Sequence, residues 1–237
     1  MYAVTRNETR PDGWASLRRR LERLAGVLAL GIVLCLAASA GVPAAERDNE
    51  PRFTVVTRAE NPSIDGSTVV LRYRGAVVPP MAARLEEAIA GLDRPYDMMI
   101  LDLFSAGGEI SHARQVVGVL RELKKNLHLT TLVRQGSWCL SACVLVFAEG
   151  DTRVAGNSSV WLFHGVCEPM RDWPSPMRTQ QFVDMLKDAG ISEEFLCDLV
   201  AEGYLTKPGE YWMSGYELFH NPRANLIHRL LPAWDPE

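Results

Sequence analysis

Short apolar runs alternate with longer amphipathic stretches along most of the chain after residue 50. Runs rich in β-branched and other apolar residues predict strands at 53–57, 67–75, 96–104, 129–134 and 158–165. A helix is predicted within 105–126, where apolar residues recur every three or four positions. Further helices are predicted at 79–92, which begins with proline, at 141–150, a short apolar run ended by Gly150, at about 179–189 and at 192–203. Strands that alternate with helices in this way predict an α/β layered domain, with a mainly parallel sheet flanked by helices.

A four-residue segment with two glycines, Ser-Ala-Gly-Gly at 105–108, separates the third predicted strand from the helix that follows it. The strand itself, "YDMMILDLF" at 96–104, is almost continuously apolar, which is typical of a strand covered on both faces. A glycine turn before a helix can direct backbone N–H groups at an anion. Taken alone, the pair of glycines is also explained by an ordinary strand–helix connection.

The first 45 residues differ in composition from the rest. Four arginines between residues 18 and 23 precede an uncharged, largely apolar stretch at 24–45. This pattern predicts export, either as a signal cleaved near Ala40 or Ala45 or as an uncleaved membrane anchor. Both alternatives place the body outside the cytoplasm, in the periplasm or beyond. The predicted organisation is an export segment at 1–45, a linker with an edge strand at 46–65, and a domain at 66–237.

The formal charge of −4 is unevenly distributed. Residues 1–45 carry six arginines against three acidic residues, so the remainder is more acidic than the whole chain. Such a body lacks the basic surface that nucleic acids and anionic lipids require. We therefore predict no nucleic-acid partner, and membrane contact only through 24–45 if that segment stays uncleaved.

Four cysteines, Cys139, Cys143, Cys167 and Cys197, lie in the predicted domain. Their spacing matches no zinc-binding pattern, so we predict no metal site. In an exported protein an even set of cysteines indicates one or two disulfides, whose pairing the sequence leaves open. The alternative is that Cys139 and Cys143 are small buried apolar side chains.

Two further residues stand where predicted elements begin or end. Ser141 opens the apolar helix at 141–150, and His164 ends the strand at 158–165. Alone, the serine is explained as a helix N-cap and the histidine as a structural side chain. Their order along the chain is more informative, because a glycine turn, a helix-opening serine and a strand-end histidine follow one another.

In this order, "LDLFSAGG", "TTLVRQGSWCLSACVLVFAEG" and "SSVWLFHG" resemble the core of the ClpP/crotonase superfamily, in its Clp protease and signal-peptide-peptidase branch. The "CxSAC" form resembles a subgroup of exported bacterial proteins. Downstream, "YWMSGYELFHNPRANLI" resembles the segment in which a helix and the last strand of that fold pack beside the site. The resemblance covers roughly residues 66–230 and implies a ClpP/crotonase-like fold.

The resemblance assigns roles to five residues. Ser141 matches the nucleophile and His164 the general base that takes its proton. The backbone N–H groups of Gly108 and Ala142, with Gly107 shaping the turn, match the oxyanion hole.

The sequence departs from the family pattern at two places. Ala106 replaces a proline in the glycine turn. The acid that orients the histidine has no clear counterpart in "GYLTKPGEYWMS". Thr206 lies nearest to its position, and the carboxylates close by are Asp198, Glu202 and Glu210. A hydroxyl or a backbone carbonyl could hold the imidazole instead, which would give a dyad.

These observations favour an exported, peptidase-like serine hydrolase that acts on peptides or proteins through an acyl-enzyme, without a cofactor. The alternative is a catalytically inactive binding or scaffold protein on the same fold. Acyl-CoA chemistry is a third hypothesis, against which export and the lack of a basic patch for CoA phosphates argue. The resemblance also implies a homo-oligomer. We expect no Clp-type ATPase partner, because ATP is scarce outside the cytoplasm.

Overall fold

The computed structural model describes residues 51–61, 63–167 and 173–231. The predicted export segment at 1–45 lies outside the described residues. The strands are β1 (Arg52–Val56), β2 (Thr68–Arg74), β3 (Met98–Phe104), β4 (His128–Val133), β5 (Trp138–Leu140), β6 (Thr152–Gly156), β7 (Val160–Phe163), β8 (Tyr211–Ser214) and β9 (Arg229–Leu231). The helices are α1 (Met81–Ala90), α2 (Ile110–Leu123), α3 (Ala142–Ala148), α4 (Pro176–Asp188), α5 (Glu193–Ala201) and α6 (Gly215–His220).

The larger of the two sheets has the strand order β1-β2-β3-β4-β6-β9. The edge strand β1 runs antiparallel to β2, and every other neighbouring pair is parallel. Each parallel connection needs a crossover, and α1, α2 and α3 supply those between β2 and β6. The predicted α/β class with a mainly parallel sheet is confirmed.

One face of this sheet forms the centre of the core. Val69, Met99 and Leu129 are paired across β2, β3 and β4, and all three are fully buried. The helices pack in sequence, α1 against α2 and α2 against α3. Burial of this apolar face and of the facing helix residues is the main source of stability.

The prediction that β3 is covered on both faces is wrong for part of the strand. Met98 is 36% exposed, and Ile100 and Phe104 are only half-buried. Asp102 is completely buried, and its Oδ2 accepts a hydrogen bond from Arg134 Nε at 2.7 Å. A buried carboxylate needs such a partner, because its desolvation would otherwise be costly.

The smaller sheet, β5-β7-β8, is connected to β3 through Ser105. The Ser105 N–H donates to the Trp138 carbonyl at 3.0 Å, and the Leu140 N–H donates to the Ser105 carbonyl at 3.0 Å. On the inner face of this sheet Trp161 is buried against Phe147 of α3, with ring centroids 4.7 Å apart. The two sheets therefore meet where the glycine turn begins.

The closing segment consists of β8, α6 and β9, so a helix and a last strand follow as the resemblance implied. Its return to the large sheet is fixed by Arg153 of β6, which is buried. The Arg153 guanidinium donates to the Leu226 carbonyl at 2.9 Å and to the Asn225 carbonyl at 2.8 Å. In the part of the chain that the structure describes, no helix is both long enough and apolar enough to cross a membrane.

Candidate active site

Ser141 lies at the junction of β5 and α3 in an unusual backbone conformation. Its φ of 51° makes it the only non-glycine residue of the described part with a positive φ. It occupies the N-cap position of α3, but its side chain makes no capping hydrogen bond. The simple explanation of Ser141 as a helix cap therefore fails. Strained backbone of this kind is concentrated at functional sites, where the surrounding structure holds it in place.

The glycine turn lies directly against Ser141. Gly107 has a φ of +84°, and a Cβ added to it would lie 2.4 Å from the Leu140 carbonyl oxygen and 2.9 Å from the Ser141 Cβ. Only glycine fits so close an approach of two backbone segments. The structure thus brings together two of the motifs that the sequence places more than thirty residues apart.

The backbone N–H groups predicted for the oxyanion hole lie beside this contact. Val77 forms a parallel bridge around Gly108, in which Val77 N–H donates to Gly107 and Glu109 N–H donates to Val77. Such a bridge leaves the N–H of Gly108 itself directed away from Val77. Ala142 is the first residue of α3, so its N–H has no acceptor within the helix. Among the described residues, no acceptor is paired with either N–H.

His164 follows β7, next to the strand that leads to Ser141. Leu140 pairs with Leu162 in the parallel register, and the Ser141 N–H donates to the Leu162 carbonyl at 2.9 Å. His164 therefore lies about one strand spacing (~4.8 Å) to the side of Ser141 and about one residue (~3.3 Å) further along. Within the described residues no hydrogen bond joins the two side chains, and catalytic hydrogen bonds are often longer before substrate binds.

A backbone carbonyl contacts the second ring nitrogen of His164. The His164 Nδ1 lies 2.8 Å from the Gly165 carbonyl oxygen. A carbonyl accepts only, so this contact requires a proton on Nδ1 and leaves Nε2 of the neutral ring as the acceptor. That is the tautomer that a general base for Ser141 requires.

The four candidates for the orienting residue are placed differently. Glu210 lines the same cavity as His164, of about 240 Å³, and accepts a hydrogen bond from Trp212 Nε1 at 3.1 Å. Asp198 lies on α5, and its Oδ1 forms an ion pair with the Arg223 guanidinium at 2.7 Å. Thr206 follows α5, and its Oγ1 donates to the Val200 carbonyl of that helix at 3.4 Å. Glu202 is the C-cap residue of α5. Of the described residues, only Gly165 is within hydrogen-bond distance of the imidazole.

The disulfide is formed by Cys139 and Cys143, which flank Ser141. Cys139 belongs to β5 and Cys143 to α3, and both are completely buried. The bridge therefore closes a small ring around the candidate nucleophile. Cys167 and Cys197 are free and exposed thiols, so these four cysteines form one disulfide, with the pairing that the sequence left open.

Replacing both Cys139 and Cys143 by alanine is expected to lower the free energy of unfolding by about 2 kcal/mol. The bridge restricts the unfolded chain, and removing a bridge that closes a loop of this length returns about that much conformational entropy to the unfolded state. Loss of the bridge also frees the backbone on both sides of Ser141. Urea unfolding under oxidising conditions measures the effect. The matched control is the double variant of Cys167 and Cys197, which are exposed and unbridged. Equal stability of the two double variants would contradict this role of the bridge.

Sequence reasoning did not identify Val77 and Gly165, which both act through backbone atoms. The Val77 backbone is hydrogen-bonded to both sides of Gly108 in the glycine turn. The Gly165 carbonyl contacts the His164 ring. Neither role depends on a side chain, so no residue type signals it. The only sequence signal at Gly165 is its position directly after the strand-end histidine.

Comparison of the sequence with known protein families finds no match. No curated protein matches the sequence either. Solved structures do resemble the chain. The catalytic domain of the ClpP protease from Plasmodium falciparum is 13% identical over 68% of this chain and 84% of that one, with a TM-score of 0.50.

Two further structures are similar. A mutant of ClpP1 from Listeria monocytogenes is 12% identical over 70% of this chain and 92% of its own, with a TM-score of 0.47. A mutant of a membrane-bound stomatin-specific protease, in complex with a substrate peptide, is 16% identical over 68% of this chain and 73% of its own, with a TM-score of 0.49. The exported "CxSAC" subgroup stays a prediction. The chain has a ClpP-like fold.

Proposed function

We propose that this protein is a serine hydrolase of the peptidase type, which acts outside the cytoplasm through an acyl-enzyme on Ser141. The observation that carries the proposal is the position of Ser141. It is held at positive φ between the Gly107 turn and β7, the strand that His164 follows. The Ser141 side chain makes no capping hydrogen bond, so a structural role as a helix cap does not explain this conformation.

In the proposed reaction, Ser141 Oγ attacks the carbonyl carbon of the substrate while His164 Nε2 takes the hydroxyl proton. The carbonyl oxygen becomes an oxyanion and accepts hydrogen bonds from the N–H groups of Gly108 and Ala142. When the tetrahedral intermediate collapses, His164 gives its proton to the leaving amine. A water molecule, deprotonated by His164, then attacks the carbonyl carbon of the Ser141 ester. The second tetrahedral intermediate collapses to release the acid, and His164 returns its proton to Ser141 Oγ.

The Gly165 carbonyl has the role that a carboxylate has in a triad. It accepts a hydrogen bond from the Nδ1–H of His164, with Nδ1 and the carbonyl oxygen 2.8 Å apart, and so fixes the ring orientation. A neutral carbonyl stabilises the imidazolium less than a carboxylate does, and a dyad of this kind is slower than a full triad. We therefore expect modest turnover.

A peptide substrate is proposed from the likeness in fold to the ClpP protease domain. Export is proposed from the N-terminal segment, and the buried Cys139–Cys143 bridge supports it because disulfides persist in oxidising compartments. Fractionation of cells that express the full chain tests this part, since recovery in the cytoplasm would refute it.

A fluorophosphonate probe tests the central claim. The purified chain is expected to form a covalent adduct, and digestion followed by mass spectrometry is expected to locate it on Ser141. The oxidised protein is used, so that the disulfide is intact. The hydrolase proposal fails if no adduct forms, or if the adduct forms on another residue.

One observation favours a second candidate, a binding protein without turnover. No carboxylate among the described residues holds His164, although Glu210 shares its cavity. Absence of the fluorophosphonate adduct, together with a peptide affinity that is the same in wild type and in Ser141→Ala, would support this alternative.

A further inference from the structure

A cavity of about 620 Å³ begins at the glycine turn and extends between α2 and α4. Its wall includes Gly108, whose N–H belongs to the proposed oxyanion hole, and Val166, two residues beyond His164. A substrate carbonyl held at Gly108 would therefore place a neighbouring part of the substrate at the mouth of this cavity. Sequence reasoning did not indicate it, because its lining residues come from separate elements.

Two arginines give the cavity its charge. Arg114 of α2 and Arg178 of α4 line it, together with the amide side chain of Gln181. Both arginines are exposed, and no carboxylate of the described residues lies within ion-pair distance of either guanidinium. Surface arginines can remain unpaired at little cost, but two that line one cavity offer several converging donors.

The acidic groups near the cavity do not neutralise these arginines directly. Glu109 is the carboxylate of the lining, and its Oε2 lies 3.2 Å from His112 Nδ1. Arg114 also borders a second groove that contains Asp184 and Asp188. Asp184 accepts a hydrogen bond from Gln180 at 2.8 Å.

We propose that this cavity binds an acidic side chain, aspartate or glutamate, of the peptide whose carbonyl is attacked at Ser141. The inference rests on the proposed function and names its substrate class. Guanidinium groups bind carboxylates with paired, charge-assisted hydrogen bonds, which a neutral amide cannot match in strength. Arg114 and Arg178 are then the specificity-determining residues, and Gln181 adds a neutral donor.

The experiment measures binding without turnover. Ser141→Ala protein is titrated with fluorescent alanine peptides that carry glutamate, glutamine or lysine at one central position, and fluorescence anisotropy gives the affinities. We expect the glutamate peptide to bind about tenfold more tightly than the glutamine peptide, the effect of one good charge-assisted pair. The preference is expected to shrink as salt is added, because the arginines are exposed.

Charge reversal identifies the residues. Arg114→Glu and Arg178→Glu, each made in the Ser141→Ala background, are expected to remove the preference for glutamate and to favour the lysine peptide. Arg229→Glu is the matched control, since it makes the same change in net charge on exposed β9 outside the cavity lining. It is expected to keep the preference for glutamate.

Equal affinities for the three peptides would overturn the inference, and so would a glutamate preference that both cavity variants retain. Neither result depends on a reactive serine. Failure of the fluorophosphonate reaction therefore refutes the hydrolase proposal while leaving the binding measurement valid, and the two claims can fail separately.

Discussion

Ser141→Ala is expected to reduce peptide hydrolysis by at least about 10⁴-fold, since removal of the serine from a full triad costs about 10⁶-fold and the proposed dyad is slower than a triad. His164→Ala is expected to cause a loss of similar size. The reason is that the hydroxyl and the imidazole act as one unit, so removing either prevents acyl-enzyme formation. Steady-state hydrolysis of an activated ester and of a peptide measures both variants.

The double variant distinguishes a catalytic unit from two independent contributions. If Ser141 and His164 act together, removing both is expected to cost no more than removing one. Fold stability is expected to change little in Ser141→Ala, because its side chain makes no capping hydrogen bond. Ser63→Ala, at an exposed serine outside the site, is the matched control with full activity expected. Hydrolysis near the wild-type rate in the double variant would show that another group performs the reaction.

Gly107→Ala is expected to damage both the site and the fold. The added Cβ would lie 2.4 Å from the Leu140 carbonyl oxygen, a backbone atom that cannot rotate away, and the residue would be held at a φ of +84°. The glycine turn must then separate from the Ser141 segment, which displaces the proposed oxyanion donors. We expect a loss of kcat of about 10²- to 10³-fold, as for removal of one oxyanion donor, and a loss of stability above ~1 kcal/mol.

Gly118→Ala is the matched control for this variant. Gly118 lies within α2, and a Cβ added there would meet nothing within 4 Å. Alanine in a helix interior is expected to add about 0.5–1 kcal/mol of stability, because it reduces the entropy of the unfolded chain. Chemical denaturation and ester hydrolysis, measured for both variants, give the comparison. Unchanged activity in Gly107→Ala would mean that this turn has no part in catalysis.

The strands that sequence reasoning predicted are those whose apolar pattern is strong. The predicted strands at 67–75 and 129–134 are found at Thr68–Arg74 and His128–Val133, because both are rich in β-branched and leucine residues. The strands that sequence reasoning missed are short or are interrupted by a polar residue. β6 contains Arg153, whose buried guanidinium donates to carbonyls of the closing segment, and no local sequence pattern indicates such a partner.

The small sheet was missed for a related reason. β5 has three residues and β8 four, too few for a period of two to be recognised. Both exist because they pair with β7, which presents Trp161 to the core. Pairing of this kind depends on residues distant in sequence, so propensity alone does not reveal it.

For the candidate site, the sequence by itself determined which residue types follow one another: a glycine turn, a serine that opens an apolar helix, and a histidine that ends a strand. Only the tertiary structure decided that these segments meet. Parallel pairing of β5 with β7 sets Leu140 beside Leu162 and so brings His164 close to Ser141.

The structure also decided which cysteines form the bridge, the positive φ of Ser141, and the choice of the Gly165 carbonyl as the partner of His164 Nδ1. Each of these depends on distances between chain segments that are set by strand register and core packing. Sequence patterns report which side chains are available, whereas register and packing determine which atoms come within hydrogen-bonding distance.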